Sequence, residues 1–367
     1  MKKCFLTISA LFIFLISCNK DDVDNGNRLS DFIVIGEEEG AFYELVFNAS
    51  TNQTVLTNLS DELDISVNNL QEITFTGDII SFYHRNAGSF SASQKDLNTG
   101  ISKKYNSYFT NTANQIAIWN CHSPKHIFVG YESPVGSGDV YLRIIDRQDE
   151  SFKDLFLTSK NRATLEGRPM YQSGKLIISF VEEGIYKTFL FNTQSQLIDT
   201  TVIYEGAPNI LRNTNGTLSV FDNTGTYFEY DLLSLTKTGT RTMSKMPAFL
   251  RFGNLEDSFV NNDIVYHKSP AAQPSYLIFY PGIFDINSQK NSIIDVNENT
   301  QITFEPLQGT RFIPLAIMYD TVNEIFLVGF KSDYEDGTKG VMLFDKNKKL
   351  MNAVELPFSP FKIILKN

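Results

Sequence analysis

One motif recurs along the chain and constrains the fold more than any other feature. A short run of apolar and aromatic residues ends in Asp or Asn, a few polar turn residues follow, and a second run begins. Asp and Asn suit such turns because their side chains bond the backbone just ahead. The motif closes at Asn48, Asp96, Asp146, Asn192, Asp231, Asp285 and Asp345. Intervals of 39 to 60 residues between these positions are typical of four-stranded propeller blades.

A second periodic feature precedes several of these motifs. The dipeptides Gly77–Asp78, Ser173–Gly174 and Asn215–Gly216 each separate two short apolar runs, as hairpin turns do. Each repeat therefore contains four predicted strands, with a tight turn after the first and an Asp or Asn turn after the third. The sixth repeat matches least well, because Met246–Asp263 is longer than one strand and one turn require.

Both ends of the repeat region are incomplete. The first repeat begins with the strands Phe32–Gly36 and Ala41–Asn48 and lacks an opening strand, while the terminal strand Ser359–Leu365 has no partners of its own. We expect this terminal strand to complete the first blade, which leaves no open sheet edge. The predicted fold class is all-β, a single β-propeller over residues 31–367. Seven blades fit best; six blades, eight blades or stacked sandwiches are the alternatives.

Composition sets limits on the partners. The 367 residues carry a formal net charge of −10 and include 30 Phe and 16 Tyr, which favour strands. An acidic chain without a basic stripe repels nucleic acid, so nucleic-acid binding is excluded. Of the three cysteines, Cys4 and Cys18 lie near the N-terminus, which leaves Cys121 without an internal disulfide partner.

The N-terminus has the pattern of a targeting segment. Lys2 and Lys3 precede an apolar run, Phe5–Ile16, that is too short to span a membrane, which takes about 20 residues. The pattern predicts a signal peptide over residues 1–17. Residues 19–30 are polar and low in apolar content, so residues 18–30 are predicted to be a flexible tether.

The segment Leu15–Cys18 resembles the lipobox of bacterial lipoproteins. That resemblance implies acylation of Cys18, cleavage before it, and a mature chain of 350 residues with net charge −12. Lys20, Asp21 and Asp22 resemble the export signal of Bacteroidetes-type surface lipoproteins. The implied location is the outer face of the outer membrane, with the protein held by lipid rather than by a transmembrane helix.

An acidic patch is a candidate binding site if the ring closes. We expect the predicted loops between second and third strands to be long and polar, and ligands to meet the propeller face that carries them or the central mouth. In blades one and seven these loops would bring together Glu37, Glu38, Glu39, Asp333, Glu335 and Asp336. Carboxylates suit calcium, so a calcium ion or a cationic partner is one interpretation. A solvated acidic loop pair is the other, and no cofactor is predicted outright.

Cys121, His122 and His126 form a weak candidate zinc site. Cys121 and His122 are adjacent, so on a strand they point to opposite sides. The alternative is a packed cysteine with two histidines near a turn. We find no nucleophile elbow, Gly-rich phosphate loop or zinc-protease motif, and no third group that would orient a Cys–His pair.

These features favour a non-catalytic surface module that binds a glycan, peptide or protein over an enzyme. Four aromatic residues near the loops are candidate contacts or, alternatively, pack at strand ends, namely Tyr83, Phe90, Tyr131 and Tyr334. One alternative is a glycan-active hydrolase or lyase that uses loop carboxylates. Another is a structural platform within an outer-membrane complex.

Overall fold

The structure is a computed structural model whose described part begins at Leu29. It describes residues 29–159, 169–244, 258–271, 275, 277–298, 311–333 and 337–366, and the backbone alone of 164–165. These ranges contain twenty-nine strands, the short α-helix α1 (Leu59–Leu63) and a 3₁₀ turn at Val67–Asn69, and residues 296–298 are helical as well. The predicted signal peptide, the predicted lipidation site Cys18 and the predicted export signal lie outside the described residues.

The first sheet contains both ends of the domain. Its strands β1 (Phe32–Glu38), β2 (Ala41–Asn48) and β3 (Gln53–Asn58) are joined by the C-terminal strand β29 (Ser359–Leu365), in the order β29-β1-β2-β3. Phe32 pairs with Leu365 and Val34 with Ile363 in an antiparallel ladder. The prediction that the terminal strand completes the first blade is therefore confirmed. We call this sheet unit 1.

Units 2 to 4 follow in chain order as antiparallel sheets. Unit 2 contains β4 (Leu70–Thr76), β5 (Ile79–Asn86), β6 (Ser89–Asp96) and β7 (Ser102–Thr110). Unit 3 contains β8 (Ile116–His122), β9 (His126–Glu132), β10 (Asp139–Asp146) and β11 (Phe152–Ser159). Unit 4 contains β12 (Thr164–Leu165), β13 (Met170–Gln172), β14 (Lys175–Glu182), β15 (Ile185–Asn192) and β16 (Leu197–Tyr204). Both β12 and β13 pair with β14, so the first strand of unit 4 is divided.

The next sheet has eight strands in two antiparallel halves. Unit 5 contains β17 (Pro208–Asn213), β18 (Thr217–Asp222), β19 (Thr226–Asp231) and β20 (Lys237–Thr242). Unit 6 contains β21 (Phe259–Asn261), β22 (Ile264–Pro270), β23 (Phe279–Asp285) and β24 (Lys290–Ile293). A short parallel pairing between β17 and β21 joins them. Unit 7 contains β25 (Phe312–Asp320), β26 (Ile325–Ser332), β27 (Lys339–Phe344) and β28 (Leu350–Leu356).

Hydrophobic clusters join each unit to the next, and one of them closes the ring. Phe32, Val34 and Ile363 of unit 1 pack with Ala316 and Leu327 of unit 7 in a single buried cluster. Similar clusters lie between the other consecutive units. The all-β propeller is therefore confirmed. The blade count stays a prediction, because 245–257 and 299–310, which adjoin unit 6, lie outside the described residues.

The Asp and Asn turns are present as predicted. Asp96 Oδ1 accepts hydrogen bonds from the backbone of Asn98 at 3.0 Å and Thr99 at 2.9 Å. The corresponding side chains of the other units cap their turns in the same way, namely Asn48, Asp146, Asn192, Asp231, Asp285 and Asp345. The Asp or Asn side chain of the motif thus stabilises a local turn that reverses the chain between the third and fourth strands.

A glycine lies opposite a bulge in three of the units. Gly36, Gly130 and Gly329 are each the fifth residue of the second strand, and the first strand shifts register there. A Cβ on Gly130 would lie 2.0 Å from Cε2 of Trp119, and one on Gly36 would lie 2.4 Å from the Ser359 carbonyl oxygen. These positions therefore admit only glycine without a shift of the neighbouring strand.

Candidate functional site: a central pocket between the inner strands

The first strands of units 2 to 6 end around a common pocket of about 410 Å³. Its walls come from strand ends and from the turns that follow them. The described lining residues are Thr76, Gly77, Pro124, Tyr171, Gln172, Ser173, Arg212, Asn213, Thr214 and Phe259. Because five of the units contribute to one cavity, the pocket lies at the centre of the ring, at the end where first strands turn into second strands.

Tight turns allow these walls to approach one another. Ser173 and Gly174 both have positive φ, 48° and 79°, in the two-residue turn between β13 and β14. This is the geometry of a hairpin turn that favours glycine. Gln172 then reaches the next unit, where its amide Nε2 donates to the carbonyls of Asn213 at 3.2 Å and Thr217 at 3.0 Å. The wall between units 4 and 5 is therefore tied together by side chain to backbone bonds.

Arg212 is the charged residue among the described lining residues. It lies on β17 of unit 5, and its Nη2 donates to the carbonyl of Phe75 in unit 2 at 3.4 Å. Units 2 and 5 are not neighbours around the ring, so this bond crosses the central space. Arg212 therefore brings a positive charge to the pocket wall while it bridges the ring.

The Phe259 ring of the pocket wall is held in place by a stack of further aromatic rings. Phe259 stacks on Tyr266 with ring centroids 5.1 Å apart, and Tyr266 stacks on Tyr319 at 4.0 Å. Burial is the main reason that the pKa of Tyr266 is raised, with the Tyr319 hydroxyl adding to it, and burial raises the pKa of Tyr319 too, so both hydroxyls are neutral at physiological pH. The stack holds Phe259 in one orientation, and Tyr171 provides a second aromatic surface in the lining.

A polar network packs behind the pocket between units 2 and 3. His122 Nδ1 lies 3.0 Å from the Thr74 hydroxyl and 3.1 Å from that of Ser81. Gln94 donates to Ser81 at 2.7 Å and accepts from Arg147 Nε at 2.7 Å. Burial, together with the nearby Arg147 charge, lowers the pKa of His122 to about 3. His122 is therefore a neutral, structural histidine.

The candidate zinc residues point to different interfaces. Cys121 packs into the apolar cluster between units 3 and 4, while His122 faces unit 2. Burial raises the pKa of the Cys121 thiol to about 12, which leaves it protonated and unreactive. His126 stacks near Phe128 at 5.8 Å. Within the described ranges no group of three or more Cys, His, Asp or Glu side chains is placed to hold a metal ion.

The acidic patch is only partly described. Glu37 and Glu39 are exposed, and Glu38 forms an ion pair with Lys339 of unit 7. Asp333 is exposed beyond β26, while Glu335 and Asp336 lie outside the described residues. Units 1 and 7 are neighbours, as expected, yet the Lys339 ammonium already neutralises one carboxylate of the patch.

The expected loops and aromatic contacts differ from the structure. Three of the loops expected to be long and polar are two-residue turns, at 39–40, 87–88 and 183–184. The second and third strands pair right up to these turns and leave no longer loop. Tyr83, Phe90 and Tyr131 are buried between units 2 and 3, so none of them forms an exposed contact. Tyr334 lies outside the described residues.

Sequence reasoning did not find the pocket. It named the central mouth as one place for a ligand, but it placed the candidate residues on the face of the second-to-third strand loops, whereas the pocket opens at the opposite end. Its hairpin turns, Gly77–Asp78 and Ser173–Gly174, were recognised only as turns. No local signal marks the lining, because its members lie between residues 76 and 259 and meet only when the ring forms.

Comparison with solved structures supports the fold. The dihydro-heme d1 dehydrogenase NirN, solved in complex with DHE, is 10% identical with a TM-score of 0.52, covering 96% of this chain and 77% of NirN. TolB from Acinetobacter baumannii is 8% identical with a TM-score of 0.40, covering 90% of this chain and 79% of TolB. At these identities the likeness to NirN shows a shared fold alone.

Other comparisons add no assignment. No protein-family model matches the chain, and no curated protein matches it in sequence. A search of the described residues for a helix long and apolar enough to cross a membrane found none.

Proposed function

We propose that this protein is a lipid-anchored propeller that binds a small ligand, or a short segment of a partner, in its central pocket without chemical conversion. The composition of the pocket carries this proposal. Its ten described lining residues include two aromatic rings and one guanidinium but no carboxylate, histidine or thiol. Acid–base catalysis needs a group that can exchange a proton near physiological pH, and these walls contain none.

The walls also limit the ligand. Tyr171 and Phe259 offer flat apolar surfaces, and the Arg212 guanidinium brings a positive charge to the lining, which suits a carbonyl or an anion. A cavity of about 410 Å³ is within the usual range of small-molecule sites, roughly 300 to 1,000 Å³. A ligand with an apolar or ring-shaped body and one acceptor group fits this lining best.

We expect the proposed tether to leave the ring at the end where the pocket opens. Ser30 donates to Asp320 at 2.6 Å and accepts from Asn323 at 2.7 Å, and both partners lie where the first strand of unit 7 ends. Asp31 accepts from the backbone of Ala49 at 2.8 Å and of Lys366 at 2.9 Å. If Cys18 is acylated, the chain thus leaves the ring from the pocket side, so the ligand would be met between the ring and the membrane.

The test is a thermal-shift screen of the purified full chain. The compounds are a panel of monosaccharides, short peptides and small organic acids. A compound that raises the melting temperature is then measured by calorimetry with Phe259→Ala and with Thr214→Trp, which places a bulky ring at the mouth. We expect both substitutions to abolish binding while the exposed control Val322→Ala retains it.

Two outcomes would contradict the proposal. Either no compound in the panel shifts the melting temperature, or binding survives both pocket substitutions. Release of products from the bound compound would instead favour the hydrolase or lyase alternative. A stable stoichiometric partner that persists in the Thr214→Trp variant would favour the structural platform. Metabolic labelling with palmitate, lost in Cys18→Ser, tests the anchor separately.

A further inference from the structure

The outer surface of unit 3 carries a second aromatic feature, far from the pocket in the sheet order. We call Tyr141, Arg143, Phe152, Asp154 and Phe156 the unit 3 ridge. Phe152 and Phe156 are 59% and 52% exposed, on the outer strand β11. Asp154 lies between them on the same face of the strand, because alternate residues of a strand share a face.

An ion pair separates the two exposed rings. Arg143 donates from Nε and Nη2 to the two oxygens of Asp154, at 2.8 and 2.7 Å. The guanidinium also lies over the Phe152 ring, 4.1 Å from its centroid, and 5.1 Å from that of Phe109. Arg143 is therefore held by a bidentate bond and by two rings, which gives the centre of the ridge a fixed geometry.

Buried aromatics support the ridge from within. The rings of Phe109, Tyr131, Tyr141 and Phe156 form a continuous series with centroid separations of 5.2, 5.5 and 5.4 Å. The Tyr131 hydroxyl is hydrogen-bonded to Asp154 as well. Two exposed rings about 13 Å apart, four residues along one strand, are thus presented on a rigid base with a polar pair between them.

We propose that the unit 3 ridge binds an uncharged glycan chain, independently of the central pocket. Sugar rings present apolar faces to aromatic side chains and hydroxyls to polar ones. The Asp154 carboxylate accepts hydrogen bonds and the Arg143 guanidinium donates them, which matches a hydroxyl that does both. Arg143 and Asp154 neutralise each other. An uncharged partner that covers them therefore leaves neither charge buried without its counter-ion.

The charge of the chain and the size of the surface exclude other occupants. A net charge of −10 repels anionic polymers. Two half-exposed rings offer far less apolar area than the roughly 800 Å² per partner of a stable protein interface. The ladder between β10 and β11 shifts register between Val140 and Tyr141, and such edge bulges oppose pairing with a further strand.

Calorimetry of the purified full chain with malto-, cello-, manno- and xylo-hexaose tests the proposal. We expect at least one of these sugars to bind, and Phe152→Ala and Phe156→Ala each to weaken that binding about tenfold. Asp154→Asn should weaken it as well, by breaking the bidentate bond. Matched controls are Leu197→Ala and Ile203→Ala, which remove exposed side chains from β16, the outer strand of unit 4.

The outcomes separate this proposal from the pocket and from self-association. Binding lost in Phe152→Ala and Phe156→Ala but kept in the controls and in Thr214→Trp supports the ridge. Binding lost only in Thr214→Trp assigns the sugar to the pocket and overturns the ridge. Failure of all four sugars to bind overturns it as well. If sedimentation shows that the native chain forms dimers and that the Phe156→Ala variant is monomeric, the ridge is an interface between copies of the chain instead.

Discussion

The second strands of units 2 and 3 have the same backbone geometry and opposite contents. In both, the fifth residue lies opposite a register shift in the first strand, between Leu70 and Glu72 in unit 2 and between Ala117 and Trp119 in unit 3. Unit 3 has Gly130 at this position, and the Trp119 ring covers it. Unit 2 has Tyr83, which is fully buried and reaches the His122 ring at 3.4 Å.

The difference shows that a bulge in the first strand leaves a space beside the fifth residue of the second strand, and that side chains from different strands can fill this space. Where the second strand has glycine, a side chain of the first strand enters the space. Where it has tyrosine, the second strand fills the space itself and adds a hydroxyl to the network of His122. Unit 1 follows the glycine solution, with Phe358 packed on Gly36 just before the terminal strand begins. The combination of a bulge and an opposing glycine is therefore also found where the terminal strand closes the ring.

Removal of residues 359–367 should have the largest effect. The truncated chain lacks β29, whose Pro360 and Ile363 are buried, and it exposes both the edge of β1 and the cluster shared with unit 7. We expect loss of the cooperative melting transition in circular dichroism. A synthetic peptide of residues 357–367 should restore it in trans. A cooperative transition in the truncated chain alone would show that ring closure is not needed for folding.

Gly130→Ala should destabilise the protein by about 3 kcal/mol. The new Cβ would meet the Trp119 ring, which cannot move without displacing the first strand, and overpacking of this kind costs roughly 1 to 3 kcal/mol or more. Urea unfolding measures the change. Gly239→Ala on β20 is the matched control, with its nearest contact at 3.6 Å, and should alter stability by less than about 0.5 kcal/mol. Equal losses in both variants would contradict the packing explanation.

Acid should destabilise the protein below pH 6.5, in part through His122. Burial lowers the pKa of His122 to about 3 and that of His267 to about 4, whereas an unfolded histidine titrates near 6.5. Below pH 6.5 the unfolded chain therefore binds more protons than the folded one, and stability falls as the pH decreases. Each such histidine contributes a slope of up to about 1.4 kcal/mol per pH unit.

His122→Gln isolates this contribution, since an amide retains hydrogen-bonding capacity without titrating. Urea unfolding from pH 7 to pH 4 should give a slope near pH 5 that is smaller than that of the native chain by about 1.4 kcal/mol per pH unit. Above pH 7 the titration term vanishes, so the variant shows there only the cost of the changed contacts. An unchanged slope near pH 5 would mean that His122 is protonated in the folded protein.

Tyr83→Phe should have the smallest effect, about 0.5 kcal/mol. The phenyl ring still fills the space beside the bulge, and the lost hydroxyl lies 3.4 Å from His122 Nδ1, farther than the Thr74 and Ser81 hydroxyls. Tyr227→Phe in unit 5 is the comparison, because its hydroxyl lies 3.1 Å from that of Ser219 and its loss should cost more. The reverse order, measured by urea unfolding, would assign Tyr83 a larger part in the network.

The sequence predicted the local features well. The Asp and Asn turns, the hairpin dipeptides and the role of Ser359–Leu365 all appear in the structure. Each depends on a few neighbouring residues or on a strand that lacks a partner. The glycines of the second strands were available as a signal, since Phe32–Gly36, His126–Gly130 and Ile325–Gly329 share an apolar run that ends in glycine. Their significance lies in the opposite strand, which spacing alone does not reveal.

Loop lengths and side-chain environments were predicted less well. The segments 37–40 and 182–184 contain mostly charged residues and were interpreted as loops, although the strands continue to Glu38 and Glu182 and leave only two-residue turns. Charged residues are tolerated at strand ends because one face of each sheet edge meets solvent. The aromatic residues near these turns allowed two interpretations, surface contacts or packing, and the described ones are buried between sheets.

The sequence by itself determined the repeating strands, the turns between them and the closure of the ring, because these follow from hydrogen bonding over a few residues and from apolar periodicity. Only the tertiary structure decided that Arg212 and Phe75 meet across the axis, that Cys121 and His122 belong to different interfaces, and that Arg143 lies between exposed rings. These arrangements join residues from separate sheets. Their positions depend on how the sheets pack around the ring, which no local pattern specifies.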